Sequence, residues 1–171
     1  MEALPQVFVN EGTFGIIDDG DVPIETVDWS RGMIAPMANG ALVLTGINTG
    51  NVQVRVASDR TQQSSPDNQV WEENVSAHVW APKGNLRIES LVHGPHPDLP
   101  PLSTAGPGWY EVEVKARGRQ ANPDGSVLQS SESYLIVVRP DASSLLPGKS
   151  VTPMPVDAEA ELRRQQLLRG V

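Results

Sequence analysis

Apolar and polar residues alternate with a period of two along several stretches of this 171-residue chain. In residues 51–57 every second residue is a valine, and residues 108–117 repeat the alternation over a longer run. Residues 75–80 and 85–91 show the same pattern. Because successive side chains of a β-strand point to opposite faces of its sheet, the pattern predicts antiparallel strands with one buried and one exposed face.

Other segments extend this pattern to a complete domain. Residues 134–138 are apolar throughout, which predicts a central strand that is covered on both faces. Weaker strand patterns cover residues 6–10, 13–17 and 41–46. Short turns rich in Gly, Asn and Pro separate the strands, and no helical periodicity interrupts them. We therefore predict an all-β fold, an antiparallel β-sandwich of about eight strands.

The composition of the chain changes near residue 140. We predict that residues 1–140 form a single β-sandwich domain, followed by a proline-rich linker over residues 141–156. Residues 157–171 are predicted to form a short helical tail, which either docks on the domain or on a partner, or frays. A second irregular stretch, residues 93–107, carries five prolines and is expected to stay out of the sheet interior.

Acidic residues are concentrated near the N-terminus. The chain has 21 acidic and 13 basic residues, yet its first 28 residues hold seven acids and no base. One interpretation is a solvated, flexible loop. The other is an acidic surface that contacts a basic partner, with a tryptophan as its aromatic anchor. The candidate partner-binding residues are Asp18, Asp19, Asp21, Glu25, Asp28 and Trp29.

The sequence carries no motif of a known catalytic site. It has no cysteine, which excludes disulfides, thiolate metal sites and a cysteine nucleophile. Phosphate-loop, dinucleotide and nucleophile-elbow motifs are also missing. His93, His96 and Asp98 have a spacing that fits no helix face, and we interpret them as an exposed loop rather than a zinc site. We expect a protein that is not an enzyme, with no catalytic residue, metal or cofactor.

The sequence also indicates where such a protein acts. It has no long apolar run that could span a bilayer and no secretory signal pattern at its N-terminus, so the expected location is the cytoplasm. The negative charge argues against direct binding to nucleic acid, because phosphate-backbone binding needs clustered Lys and Arg.

Two segments resemble the competence protein J-like family of bacterial proteins, which includes the inhibitor of a DNA-entry nuclease. They are residues 108–119 (GWYEVEVKARGR) and 132–140 (ESYLIVVRP). The order of the preceding elements is also similar, from the N-terminal strand pair through Asp28-Trp29 to the turn before residue 85. The proline-rich loop and the tail have no counterpart in this resemblance. It implies a stoichiometric inhibitor and assigns a role to no individual residue.

Together these features favour a non-catalytic nuclease inhibitor or immunity-type protein. Its acidic surface would mask a basic partner such as a nuclease or a toxin. A sugar- or lipid-binding β-sandwich that uses Trp71, Trp80 and Trp109 as stacking platforms remains an alternative. A structural subunit of a phage or secretion assembly is another. The oligomeric state is left open by the sequence.

Overall fold

The computed structural model describes residues 4–57 and 70–141, and in these ranges it contains ten β-strands and two single-turn 3-10 helices. The strands are β1 (Gln6–Val9), β2 (Thr13–Asp18), β3 (Ile34–Pro36), β4 (Ala41–Leu44), β5 (Thr49–Ala57), β6 (Glu73–Ala81), β7 (Leu86–Ser90), β8 (Gly94–Pro95), β9 (Gly108–Arg117) and β10 (Ser126–Pro140). The 3-10 helices, Ile24–Thr26 and Trp29–Arg31, lie between β2 and β3.

The strands form two five-stranded sheets that face each other. The first sheet has the order β1-β5-β10-β9-β6 and the second has the order β3-β4-β2-β7-β8. Apolar side chains from both sheets form one core, in which Phe14 packs edge-to-face on Tyr134 with ring centroids 5.4 Å apart. The predicted all-β sandwich is confirmed. One pair departs from the antiparallel rule, because β10 runs parallel to β5.

All eight predicted strand segments fall on strands of the structure, and β3 and β8 are two short additions. The apolar run of residues 134–138 forms the second half of β10, which lies at the centre of its sheet as predicted. The first half of β10 is polar and partly exposed, and its register against β5 shifts twice. Polar side chains and β-bulges interrupt the alternation of apolar and polar residues. The sequence pattern therefore did not predict this half of the strand.

The proline-rich loop after β7 contributes to the core although it joins the sheet only at β8. Its side chains Leu99 and Leu102 are buried with the main apolar cluster. Tyr110 fixes the end of the loop, since its hydroxyl donates to the Gly106 carbonyl at 2.6 Å and accepts from the Ala105 N–H at 3.0 Å. The loop is therefore part of the domain.

A second, smaller apolar cluster covers the outer face of the second sheet. It consists of Ile17, Ala35, Met37 and Leu42, with Val22 and Val27 packed against it. The two valines belong to the loop between β2 and β3, so this loop is fixed on the sheet by apolar contacts. The predicted linker, apart from Asp141, and the predicted tail of residues 157–171 lie outside the described residues.

Candidate functional site

The seven acidic residues near the N-terminus do not form one surface. Glu2 lies outside the described residues, and Glu11 occupies the turn before β2. Asp18 ends β2. The other four lie between β2 and β3, in residues 19–33, which we call the acidic loop. The structure therefore separates the candidate residues into one buried acid and one group on the acidic loop.

Asp18 is fully buried and holds a turn in place. Its Oδ2 accepts the backbone N–H of Lys83 at 2.7 Å, and its Oδ1 accepts the backbone N–H of Asn85 at 2.7 Å. Both donors belong to the hairpin between β6 and β7. This position corrects the sequence hypothesis for Asp18, because a carboxylate with no exposed surface has no contact area to offer a partner.

Asp19 and Asp21 lie in a tight turn directly after Asp18. The N–H of Asp21 donates to the Asp18 carbonyl at 3.1 Å, and Asp19 has a φ of 53°, which such turns require. Both carboxylates are exposed. Asp19 is 3.6 Å from the Lys83 ammonium, and Asp21 accepts from the Asn39 amide at 3.0 Å. These weak surface interactions leave both side chains accessible.

Glu25 and Asp28 belong to the two 3-10 helices. Glu25 is exposed, and among the residues that the structure describes its carboxylate has no hydrogen bond or ion pair. Asp28 caps the second helix, where its Oδ1 accepts from the hydroxyl of Ser30 at 2.6 Å and from the Ser30 N–H at 3.0 Å. These hydrogen bonds, together with the charge of Arg31, lower the pKa of Asp28 although partial burial opposes the shift.

Two large apolar side chains are exposed beside these acids. Trp29 is 51% exposed and Ile24 is 49% exposed. Trp29 was a candidate from the sequence, whereas Ile24 was missed. It had no signal in the sequence, because Val22 and Val27 lie in the same stretch and only the fold shows that these two valines pack on the sheet while Ile24 stays exposed. The acidic loop therefore combines carboxylates with two exposed apolar side chains.

Hydrogen bonds hold the acidic loop in a defined conformation. The Asp28 N–H donates to the Pro36 carbonyl at 2.8 Å, and the Ala38 N–H donates to the Thr26 hydroxyl oxygen at 2.7 Å. The Thr26 hydroxyl in turn donates to the Pro23 carbonyl at 2.7 Å. Because these bonds add to the apolar contacts of Val22 and Val27, little conformational entropy remains to be lost when the loop binds.

The other three tryptophans do not form a common platform. Trp80 and Trp109 contact each other, with ring centroids 5.1 Å apart, but Trp109 is only 7% exposed. Trp71 precedes the start of β6, whereas Trp80 lies near its end, and the guanidinium of Arg117 covers the Trp71 ring at 5.7 Å. A stacking site for a sugar needs adjacent exposed rings, and this arrangement does not supply them.

Each of the three histidines has a different contact. His78 contacts Asp141 through its Nδ1 at 2.7 Å, and His93 packs edge-to-face on Phe8 with ring centroids 5.0 Å apart. His96 accepts the Asp98 N–H at 3.2 Å. Within residues 4–57 and 70–141, no three His, Asp or Glu side chains lie close enough to share a metal ion.

Glu89 is a buried acid that the sequence did not single out. It lies on β7 and is only 8% exposed, and burial raises its pKa although the charge of Arg87 opposes the shift. The carboxylate of Asp19 raises it further, so the two acids are close enough to interact. The strand alternation placed Glu89 on the outer face, where the sequence predicts exposure.

The fold is similar to a known crystal structure, that of ComJ from Bacillus subtilis, described as an inhibitor of the DNA degrading activity of NucA. The match has a TM-score of 0.50 and 17% sequence identity, and it covers 80% of this chain and 94% of ComJ. The chain thus has a ComJ-like fold, as the sequence resemblance implied. No protein-family model and no curated protein matches the sequence.

In the described part of the chain, none of the helices has the length and apolar character needed to cross a bilayer.

Proposed function

We propose that this chain is a non-catalytic inhibitor that binds a nuclease and masks its DNA-binding cleft with the acidic loop. The observation that carries the proposal is the exposure of Trp29 and Ile24 among the accessible carboxylates of Asp19, Asp21 and Glu25. The ComJ-like fold supports a protein partner of the nuclease kind, because ComJ is described as the inhibitor of a DNA-degrading protein.

The charge of the loop suits such a partner. A nuclease holds DNA phosphates in a cleft that carries Lys and Arg, so the cleft attracts carboxylates. Asp21 and Glu25 face no cation among the described residues, while Asp19 and Asp28 have weak partners in Lys83 and Arg31. Unpaired acids of this kind accelerate association at low salt more than they slow dissociation.

The apolar side chains provide the binding free energy that charge does not. Tryptophan is among the residues most often found at binding hot spots, where truncation to alanine costs about 2 kcal/mol or more. Trp29 begins the second 3-10 helix, which Asp28 caps, so the ring projects from backbone of fixed conformation. We therefore assign Trp29 as the anchor of the interface and the surrounding acids as its charged rim.

The test begins with the partner in its native host. A tagged full-length chain is used to isolate bound proteins, and each is assayed for DNA degradation with and without added inhibitor. We expect a co-purifying nuclease whose activity reaches its minimum at a molar ratio of about one inhibitor to one nuclease. A bound nuclease that stays fully active at excess inhibitor contradicts it.

Variants then locate the contact surface. Trp29→Ala should weaken binding by about 30-fold or more, which corresponds to about 2 kcal/mol. Leu128→Ala is the matched control, since Leu128 is an exposed apolar residue on β10, outside the acidic loop, and should leave the affinity unchanged. Equal losses for both variants, or none for Trp29→Ala, would exclude the acidic loop as the interface.

The acids are tested through the salt dependence of association. The combined variant Asp19→Asn, Asp21→Asn and Glu25→Gln should bind more slowly at low salt and show a flatter dependence of the association rate on salt. Glu11→Gln removes one exposed acid outside the acidic loop and should change neither quantity. An unchanged salt slope in the combined variant contradicts electrostatic masking.

A further inference from the structure

The two sheets have four edge strands, and three of them are protected against pairing with another chain. β1 is four residues long, β3 is three residues long and ends in Pro36, and β8 consists of Gly94 and Pro95. Short strands and prolines are the usual means by which proteins block their sheet edges. β6 is different, because it runs for nine residues and contains neither proline nor lysine.

The backbone groups on the free edge of β6 can be identified. The Trp80 carbonyl accepts the Gly40 N–H at 2.9 Å, so it points away from β9, the neighbour of β6 in its sheet. Because the direction of the backbone groups alternates along a strand, the N–H and C=O of His78, Ser76 and Asn74 also point away from β9. Among the described strands, none pairs with this edge.

The free stretch is bounded on both sides. At one end the Trp80 carbonyl already accepts a hydrogen bond from the Gly40 N–H. At the other end the N–H of Glu72 donates to the Ala116 carbonyl of β9 at 3.0 Å and so points towards its own sheet. Asn74 and Ser76 are exposed, and His78 is partly exposed. Within residues 4–57 and 70–141, the available edge is therefore a run of three residues whose outward backbone groups have no partner, and Ser76 is at its centre.

We propose that β6 is a dimer interface, at which it pairs antiparallel with β6 of a second copy about a two-fold axis through Ser76. This register places Ser76 opposite Ser76 of the second copy and Asn74 opposite His78, so every free backbone group of the stretch finds a partner. The result is one continuous ten-stranded sheet across the dimer. The inference is independent of the proposed nuclease partner, which is assigned to the acidic loop.

The side chains favour a second copy as the occupant. In the proposed register Val75 lies opposite Ala77 on the core-facing side of the sheet, and no two like charges lie opposite each other. Glu73, the acidic residue of β6, falls opposite Val79 and already binds Arg119 of its own chain at 2.7 Å. The edge is thus self-complementary in both hydrogen bonding and charge, as a two-fold interface requires.

Light scattering on the full-length chain gives the first measurement. Pairing of one edge is a small interface, so the chain is examined from about 1 to 500 µM, where interfaces of that size dissociate. A molar mass that rises towards that of a dimer supports the proposal. A monomer across the whole range overturns it, and leaves the free edge of β6 available to a strand of a different protein.

A thiol introduced at the two-fold axis tests the register. The native chain has no cysteine, so Ser76→Cys supplies its only thiol. Directly opposed residues of a hydrogen-bonded antiparallel pair have Cα atoms about 5.5 Å apart, which a disulfide can bridge. Asn74→Cys is the matched control, because the same register separates its two copies by four residues, about 13 Å, which is too far.

The expected result is a covalent dimer of Ser76→Cys under mild oxidation and none of Asn74→Cys. Equal rates for the two variants overturn the register. Ser76→Lys places two like charges at the axis and should return the chain to a monomer, whereas Ser126→Lys, at an exposed residue of β10, should not. A dimer that survives Ser76→Lys overturns the proposal. Urea midpoints close to that of the unmodified chain establish that the variants are folded.

Discussion

The two ends of the sandwich each contain a fully buried carboxylate, but only one of these carboxylates is followed directly by a loop that carries several exposed acids. β2 runs from one end, where Thr45 donates to the Gly12 carbonyl at 2.8 Å, to Asp18 at the other. Near the first end lies Glu132, which like Asp18 has no exposed surface. Beyond Asp18 the chain continues directly into the acidic loop, whose carboxylates are accessible.

Glu132 connects the loop between β4 and β5 to the central strand β10. It accepts the backbone N–H groups of Gly46 at 3.0 Å and Ile47 at 2.6 Å, and the hydroxyl of Tyr134 at 2.6 Å. Burial and the Glu132 carboxylate together raise the pKa of Tyr134. Its hydroxyl therefore stays protonated and donates a hydrogen bond to Glu132. Gly46 is required here, because a Cβ at this position would collide with the Arg119 carbonyl.

The comparison separates two uses of the same functional group. Asp18 and Glu132 each satisfy two backbone N–H groups that would otherwise be buried without an acceptor, so their charge stabilises the fold. Asp21 and Glu25 satisfy no backbone group and remain accessible. The net charge of −8 therefore counts both structural and surface carboxylates, although only the surface carboxylates are available to a partner.

Removing Glu132 should have the largest effect on stability. Glu132→Ala leaves two backbone N–H groups and one hydroxyl without their acceptor in the interior, which should cost about 3–5 kcal/mol in the free energy of unfolding. Urea unfolding at pH 7 measures this loss. Glu11→Gln, at an exposed turn residue, should change the same quantity by less than about 0.5 kcal/mol. Similar values for the two variants would contradict the assignment of Glu132 as structural.

Consecutive residues give the sharpest contrast at the other end. Asp18→Ala deprives the Lys83 and Asn85 N–H groups of their acceptor and should cost about 2–4 kcal/mol. Asp18→Asn keeps one acceptor oxygen and should lose less. Asp19→Asn should cost less than about 0.5 kcal/mol, because asparagine tolerates a positive φ and the ion pair with Lys83 is exposed. Urea midpoints that rank Asp19→Asn with Asp18→Ala would refute the distinction.

Asp28 lies between the two classes, because it is accessible but also caps a helix. Asp28→Ala should cost about 0.5–1.5 kcal/mol at pH 7. The folded pKa of Asp28 lies below its unfolded value, so its stabilisation is present above the unfolded pKa of about 3.9 and is lost as the pH falls through the folded pKa. The difference from the unmodified chain should therefore shrink as the pH falls below about 3.9. A difference that stays constant between pH 7 and pH 2.5 would show that the carboxylate charge is not involved.

Glu89 should give the smallest effect, and one of opposite sign. Its folded pKa is raised, so the stability it contributes is present below the unfolded pKa of about 4.3 and is lost as the pH rises through the folded pKa. Glu89→Gln removes this loss and should stabilise the chain by a few tenths of a kcal/mol at pH 7, and by nothing near pH 3.5. Thermal unfolding at both pH values measures the change. Destabilisation at pH 7 would mean that the charged form has a favourable contact.

The sequence predicted the strands well but not the role of every acid. Phe14 and Ile16 point into the core, and the period of two places Asp18 on the same inward face. Asp18 was nonetheless grouped with the surface acids, because the backbone donors that make its burial favourable come from residues 83 and 85, far along the chain. Trp29 was a candidate from the sequence because a large aromatic residue beside acids is informative without knowledge of the fold, and its role in binding stays a prediction.

What the sequence determined by itself is which segments are strands and which of their side chains face the core. That information is local, because alternation and turn residues act within a few positions of one another. Tertiary structure alone decided that β5 and β10 pair in parallel, that Glu132 serves Gly46 and Ile47, and that the acidic loop is fixed on the second sheet. Each of these depends on contacts between residues that are distant in sequence. The local sequence around a strand or an acidic residue does not identify its distant partner.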